Sequence, residues 1–500
     1  MKWRKTASVV LTALMVLSMV LSMAGCSVGG GDGESFADYV NASDAFWDVP
    51  AMLVDGTYIS DSASYGNGCY ILTVSGTELS DYQAYITKLV SEDGFTKFVD
   101  NGENGLGSAV YTTTLTKSVE DGESDLELTV WHIVKAHKTY VSAKSVKAGK
   151  LNLSQHLFAD NKESTDPDIA GAKTTLSMVQ PTSTIPKNKV NSIDYGVYSR
   201  IGGECYVIQL KNGHFIVEDS GEATSEVKLL EYLEELSGGK KPIIDAFFIT
   251  HEHSDHCYGL RNIANSYSSR VSVEGVYFSE TDSAVNMMTK TATGTVVTAA
   301  SKLKTSDGKT TPVYRTHVGE RYYFNEVTIE VPYTQELLPL DEYAGDQNGA
   351  SSWFLHYIEG QKFLNFGDTE RINIAAVAAI YDDEYMDVDI MNSAHHGHNI
   401  YAGTENYNQA ETVLYDSYGL FSTTWGAIAI TANMNLQASA KECVSYLNGT
   451  VVLEFPYTVG SYEVLDTWYP DITNARIEEI RETYKAATYG GTGNWQDYAK

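Results

Sequence analysis

Hydrophobic and polar positions along this chain follow two periods in turn. From Ile243 to Ile249 the side chains are almost continuously apolar (Ile-Ile-Asp-Ala-Phe-Phe-Ile), the pattern of a strand buried on both faces. Just upstream, Gly203 to Leu210, a turn at Asn212-Gly213 and Phe215 to Gly221 read as a β-hairpin, because Asn-Gly accepts the positive φ that a tight hairpin turn requires. Helical spacing from about Thr224 to Leu236, stopped by Gly238-Gly239, separates the hairpin from the apolar strand. Farther on, Trp353 to Ile358, Phe363 to Phe366 and Val451 to Phe455 carry strand signals, and Ile472 to Thr488 predicts a terminal helix.

The N-terminal part repeats this mixture on a smaller scale. Tyr70 to Val74 reads as a strand, and Leu79 to Glu92 as a helix with Tyr82, Tyr85, Ile86 and Leu89 on one face. Tyr111 to Leu115, Leu126 to Trp131 and Thr139 to Ala143 read as further strands, so residues 36–158 form a small α+β module with a mostly antiparallel sheet. Neither His132 nor His137 has an Asp or His partner nearby, and both read as sheet or surface residues. A wall-facing, substrate-recruiting or partner-binding role is the expectation for this module. The polar, Pro-containing stretch Asn161 to Asp168, followed by Pro181 and Pro186, marks residues 159–190 as a linker leading into the next domain, which spans 191–460; residues 461–500 form a helix and tail.

The first residues stand apart. Lys2, Arg4 and Lys5 precede an apolar run from Ala7 to Ala24, the layout of a secretory signal peptide. Met23-Ala24-Gly25-Cys26 resembles the cleavage box of bacterial lipoproteins, with Met where Leu is usual, and a Gly/Ser-rich tether occupies 26–35. The expectation is a signal peptide over 1–25 and a chain anchored to the outer face of the bacterial cell membrane through lipid on Cys26.

Composition narrows the function. At 500 residues, 43% hydrophobic and 20% charged, the chain is an ordinary folded protein long enough for two or three domains, not a disordered one. Its 65 Asp+Glu against 35 Lys+Arg give a net charge of −30, which repels polyanions and disfavours nucleic acid as a partner. Beyond Cys26, the remaining cysteines (Cys69, Cys205, Cys257 and Cys443) are too scattered for a metal knuckle and too few for a disulfide framework.

Chemistry concentrates in His251-Glu252-His253-Ser254-Asp255-His256, directly after the apolar strand: three imidazoles and two carboxylates in six residues. Imidazole nitrogen and carboxylate oxygen suit Zn²⁺; alternate residues of an extended segment, His251 and His253, can address one ion, and Asp255 and His256 can turn toward a second.

With this motif the chain resembles the metallo-β-lactamase-fold hydrolases. Two later segments extend the resemblance in the family's order: Phe363 to Asp368, a strand ending in Gly-Asp, and Asp389 to His398, which contains His395-His396-Gly397. The latter is similar to the subgroup that includes the extracellular domains of DNA-uptake competence proteins and the teichoic-acid choline-phosphate esterases, and Asn348 to Ser352 is similar to that subgroup's Asn-x-x-Ser lead-in. The resemblance covers about half the chain. It implies an α/β fold, the αββα sandwich, beside the small N-terminal module. It further implies two divalent ions, Zn²⁺ with Mn²⁺ or another metal as alternatives, held by His251, His253, Asp255, His256, Asp368 as the bridging carboxylate, and His396. Asp255 and His395 are the implied catalytic pair, with His395 as substrate contact or proton donor and the roles of His395 and His396 open to exchange. Asp219, in the Asp-x-Gly that ends the hairpin, is implied to hold the metal loop. The wider family adds a histidine between that loop and the bridging aspartate; His317 and His356 are the only ones in this interval, and whether either completes the site stays open.

The expected activity is a lipid-anchored, extracytoplasmic, metal-dependent hydrolase of phosphodiesters or esters, with a small-molecule or cell-wall-polymer substrate. A carboxylic-ester or lactone hydrolase with the same site is the first alternative, and a lipid-tethered binding protein on a degenerate hydrolase fold the second.

Overall fold

The structure, a computed structural model of the chain, describes residues 35–159, 172–179, 203–279, 294–337, 348–394 and 450–465, apart from short gaps within these ranges, together with strands at 421–423 and 443–444. The signal segment, the tether to residue 34, the Asn161–Asp168 linker, His395, His396 and the helix expected at 472–488 lie outside the described residues. Among the described residues no helix is long and apolar enough to cross a membrane.

The N-terminal module is a six-stranded antiparallel sheet with one helix. Its elements are β1 (Tyr58–Ser64), β2 (Cys69–Ser75), α1 (Leu79–Ser91), β3 (Thr96–Asp100), β4 (Val110–Ser118), β5 (Ser124–Ile133) and β6 (Lys138–Lys147), in the sheet order β1-β2-β6-β5-β4-β3. Alternation along the strands sorts side chains to two faces. Leu72, Val74, Leu128, Val130 and Val141 pack with Tyr82, Tyr85, Ile86 and Leu89 of α1, while Ile71, Trp131 and Tyr140 pack against the rest of the protein. His132 is buried in this sheet, its Nδ1 3.0 Å from Thr139 Oγ1, and burial lowers its pKa to about 4.

Two further sheets form the body. The first contains β7 (Thr175–Met178), β8 (Tyr206–Gln209), β9 (Phe215–Glu218), α2 (Glu226–Leu236) as its first covering helix, β10 (Ile243–Ile249), α3 (Ser254–Asn262), β11 (Ser272–Val273), β12 (Val276–Phe278), α4 (Thr295–Ala300) and β13 (Val313–Arg315). The second contains β14 (Arg321–Phe324), β15 (Val327–Tyr333), β16 (Trp353–Ile358), β17 (Gln361–Asn365), α5 (Arg371–Ile380), α6 (Asp383–Met386), β18 (Ile390–Asn392), β19 (Phe421–Thr423) and β20 (Cys443–Val444); β21 (Thr450–Glu454) and β22 (Glu463–Leu465) then return to the first sheet. The orders are β13-β12-β10-β9-β8-β7-β21-β22, with β11 also on β10, and β14 to β20 in sequence. Strand β7 lies within the 159–190 stretch, and β22 lies beyond residue 460. The hairpin β8–β9 turns at Gly213 with φ 83°.

The near-continuous apolar run of β10 has its cause in this layering. Ala246 and Phe248 face the second sheet, whereas Ile244, Phe247 and Ile249 face α2, α3 and α4, so both faces are dry. Phe248 is the centre of the inter-sheet core, its ring within 4.6–6.1 Å of Tyr277, Tyr322, Phe324 and Phe354. The result is an α/β sandwich of two sheets with helices outside the first.

The outer face of the second sheet is covered differently, by α5 and α6 together with the N-terminal module. Trp131, Tyr140 and Ile71 of the module share an apolar layer with Trp353, Leu355, Val377, Tyr381 and Tyr385. The segment 315–319 is the polar part of this contact. Thr112 Oγ1 donates to the Val318 carbonyl at 2.9 Å, and Gly319, with φ 85°, comes so close that a Cβ there would lie 1.9 Å from Thr112 Oγ1.

Candidate metal centre

Strands β9, β10 and β12 run parallel, and each leaves the sheet at the same edge. Residues that follow β9 and β10 therefore meet there, together with the turn after β17 from the opposite sheet. Past Ile249 the chain stays extended through His253, which is the N-cap of α3 (φ −69°, ψ 155°), and then coils, so Asp255 and His256 sit in the first helical turn. Gly259 lets α3 lie flat on the end of β9: a Cβ there would meet Ser220 O at 2.1 Å. Ser220 fixes this contact by donating from N and Oγ to the His256 carbonyl and accepting from Leu260 N.

His251, His256 and Asp368 converge, all buried, with one ligand atom of each within 4.8 Å of the others. Nε2 of His256 is 3.1 Å from Asp368 Oδ1, and Nε2 of His251 is 3.7 Å from Asp368 Oδ2. His253 and Asp255 stand beside this triad at the half-buried mouth: the His253 ring lies 4.6 Å from that of His251, and the Asp255 charge acts on both His251 and His256. A second buried group, Glu204, Asp219 and His256, lies directly behind.

Partners behind the imidazoles decide which nitrogen faces the site. Asp219, fully buried, accepts from Thr250 N (2.9 Å), from the Thr250 hydroxyl (2.7 Å) and from His256 Nδ1 (2.8 Å). With Nδ1 so engaged, His256 turns Nε2 toward Asp368, the usual device for orienting a ligating imidazole. The Thr250 hydroxyl donates to Asp219, so toward His251 Nδ1, 3.1 Å away, it is available as an acceptor, which favours the tautomer with the proton on Nδ1 and the lone pair on Nε2. That Nε2 is buried and makes no hydrogen bond. Burial, and the charges of His256 and His253, hold His251 well below the usual histidine pKa. For His256 burial acts in the same direction, but Asp368, Asp219 and Asp255 outweigh it and raise the pKa well above the usual value.

A buried, unused imidazole nitrogen beside a second imidazole and a carboxylate is the donor set of a Zn²⁺ or similar divalent site, and the residues present fit it. Asp219→Asn, which keeps the shape and removes the charged acceptor, is expected to lower zinc affinity about 10- to 100-fold. Calorimetric titration of metal-free protein with zinc chloride measures this.

Neither histidine left open as an additional ligand reaches the site. His356 Nε2 pairs with Glu218 Oε1 at 2.5 Å inside the sandwich, and His317 Nδ1 pairs with Glu336 Oε2 at 3.0 Å where the N-terminal module docks. His356, in an interior strand, and His317, in the loop between β13 and β14, are each captured by a buried carboxylate that sequence spacing does not reveal. The reverse holds for Ser351. Its Oγ lies 3.2 Å from His251 Nδ1 and accepts from Asp368 N at 3.2 Å, joining two ligand segments, and the Asn-x-x-Ser lead-in was its only sequence trace. Cys257, on α3, is fully buried, and burial raises its thiol pKa out of the reactive range.

Residues 200–280 match the family described as Metallo-beta-lactamase superfamily, a stretch that includes the His251–His256 motif. No curated protein matches the chain. Among solved structures, it is similar to the metallo-beta-lactamase fold protein YhfI from Bacillus subtilis, at 11% identity over 55% of this chain and 95% of that one, with a TM-score of 0.33. It is also similar to a putative metallo-beta-lactamase from Thermotoga maritima, at 17% identity over 39% of this chain and 79% of that one, with a TM-score of 0.24.

Proposed function

We propose, from the metallo-β-lactamase superfamily domain that this chain carries, that it is a metal-dependent hydrolase of phosphodiesters, acting outside the cytoplasm from a lipid anchor on Cys26. The convergence of buried His251 and His256 from one loop with Asp368 from a distant turn carries the reading. These residues would hold one divalent ion or share two, with His253, Asp255 and His396 as further ligands. Bound there, the metal supplies Lewis acidity toward the substrate's electrophilic centre and acidifies water.

The chain's own groups do the rest. Asp219 and Thr250 keep both imidazoles in the tautomers that face the site, and the low-dielectric surroundings strengthen every charge interaction within it. Asp255, on the first turn of α3, would take a proton from the attacking water, and His395 would return one to the leaving group. The resemblance of the His395-His396-Gly397 segment, together with the proposed export, is the ground for proposing wall polymers as substrate. The acidic surface favours zwitterionic or neutral decorations over bare polyanions.

The test is metal analysis of purified protein combined with turnover of bis(p-nitrophenyl) phosphate and p-nitrophenyl acetate. Expected are one to two equivalents of bound divalent metal and a kcat/KM for the phosphodiester that metal removal abolishes. Preference for the acetate favours the ester-hydrolase alternative, and folded protein lacking both metal and turnover leaves the binding-protein reading.

A further inference from the structure

The turn that carries Asp368 leaves the end of β17 with Gly367 at φ 53°, and a Cβ on Gly367 would lie 2.8 Å from Thr250 Cβ. It thus presses on the metal loop with no side chain between them. Such a turn exposes consecutive backbone N–H groups, and here three in a row are taken by side-chain oxygens, not by the sheet. Phe366 N donates to Asn392 Oδ1 at 2.8 Å, Gly367 N to Asn365 Oδ1 at 2.8 Å, and Asp368 N to Ser351 Oγ at 3.2 Å.

Each asparagine is in turn anchored to a carboxylate of the opposite sheet. Asn365 Nδ2 donates to Glu218 Oε2 at 2.9 Å, and Asn392 Nδ2 donates to Glu204 at 3.1 and 3.3 Å. All four residues are 0% exposed. The other oxygen of Glu218 holds His356, and the backbone of Glu204 is tied to the metal loop, its N–H donating to Asp255 O at 3.2 Å and its carbonyl accepting from Gly221 N at 2.8 Å. Glu218 immediately precedes Asp219, which orients His256.

We propose that Glu218–Asn365 and Glu204–Asn392 are paired positioning braces that set the distance between Asp368 and the imidazoles of His251 and His256, and through it the affinity of the site for metal. The inference rests on the proposed metal site, but not on any particular substrate. Physical reasons favour this role over plain packing. Burying two carboxylates and two carboxamides costs more than an apolar core of the same volume unless every group is engaged. These groups spend their hydrogen bonds on one turn, the one whose displacement by an ångström would separate Asp368 from its neighbours. Asparagine suits the relay because one side chain accepts from the turn and donates to the carboxylate at the same time.

The experiment compares Asn365→Leu, Asn392→Leu and the milder Asn365→Ala with Phe324→Leu, a core substitution in the strand row at the opposite end of β17 from the turn. Metal-free proteins are titrated calorimetrically with zinc chloride, unfolded in urea, and followed by hydrogen exchange at the amides of 366–368. Each brace variant is expected to lose about 10- to 100-fold in zinc affinity and to exchange faster at those amides, whereas Phe324→Leu loses stability but keeps affinity within about twofold. Glu218→Gln, which retains an acceptor for Asn365, is expected to recover most of the affinity that Glu218→Leu loses. Brace variants that remain folded and bind zinc as tightly as the unmodified chain overturn the proposal. Asn365→Ala, the mildest change, keeps that outcome available if a leucine variant fails to fold. Because zinc affinity and exchange are read without turnover, a protein that binds zinc yet hydrolyses nothing sinks the hydrolase reading and leaves the braces tested.

Discussion

Asp368→Asn is expected to reduce metal-dependent hydrolysis by about three orders of magnitude or more while leaving the fold intact. The substitution preserves volume inside a site where Asp368 is 1% exposed, so packing is unchanged. What it removes is the negative charge facing two imidazole nitrogens at 3.1 and 3.7 Å. A metal contribution of several kcal/mol to the transition state corresponds to roughly a thousandfold or more in rate, and a ligand set that loses its buried carboxylate forfeits most of it. Metal content, circular dichroism and kcat/KM measured on one preparation separate loss of chemistry from loss of fold. Full metal content and full turnover in the Asn variant would remove Asp368 from the site.

Glu336→Gln is expected to destabilise the protein by roughly 3–5 kcal/mol, the cost of breaking a buried ion pair from one side. Glu336 Oε1 holds Arg315 at 2.6 Å and its Oε2 holds His317 at 3.0 Å; His317 also lies 3.4 Å from Glu127 of the N-terminal module, and Arg315 reaches Cys69 Sγ at 3.6 Å. Lys144 and Glu320 complete the charges around this cluster. Removing that carboxylate takes from Arg315 and His317 the charge they share at the seam between module and body, leaving Glu127 as the ion-pair partner of His317. Urea unfolding, followed separately by Trp fluorescence and by far-ultraviolet dichroism, measures the loss and shows whether the module detaches first.

The same cluster determines a pH profile. Burial alone would raise the Glu336 carboxyl, but His317 and Arg315 hold it at about 2, below its ordinary 4.5. A depressed acid contributes stability that is complete above pH 4.5 and lost as the pH falls toward 2. Burial alone would lower His317, but Glu336 and Glu127 raise it from 6.5 to about 10. A raised base contributes stability that is complete below pH 6.5 and lost as the pH rises through 10. This contribution therefore peaks between about pH 4.5 and 6.5 and declines on both sides, and Glu336→Gln is expected to flatten both slopes.

Much of this architecture was legible in local pattern. The helical spacing of Tyr82, Tyr85, Ile86 and Leu89, the Asn212-Gly213 turn and the apolar run Ile243–Ile249 each carry a periodicity or turn chemistry that only one local conformation satisfies. The crowding of His251 to His256 is likewise a local signal, since adjacency in sequence already forces those groups into one place. His317 and His356 show where such reading ends. Their surroundings as residues offered no motif, and each was settled by a carboxylate far away in the chain, Glu336 and Glu218. Likewise nothing in the strand pattern of residues 36–158 shows that this module covers the second sheet, because alternation specifies that a face is apolar and not which surface will meet it.

By itself, then, the amino-acid order determined what short-range physics can decide: the strands, helices and turns, the burial of β10 on both faces, and the presence of a dense metal-ligand motif at its end. The tertiary structure alone decided the joining of that motif to Asp368, the tautomers set by Asp219 and Thr250, the grip of Asn365, Asn392 and Ser351 on one turn, and the docking of the N-terminal module. The reason is that hydrogen bonds and ion pairs act over about 3 Å, whereas many of the groups concerned, such as Asp219 and Thr250 or Asn392 and Phe366, are far apart in the chain. Only packing of the two sheets brings them within that range.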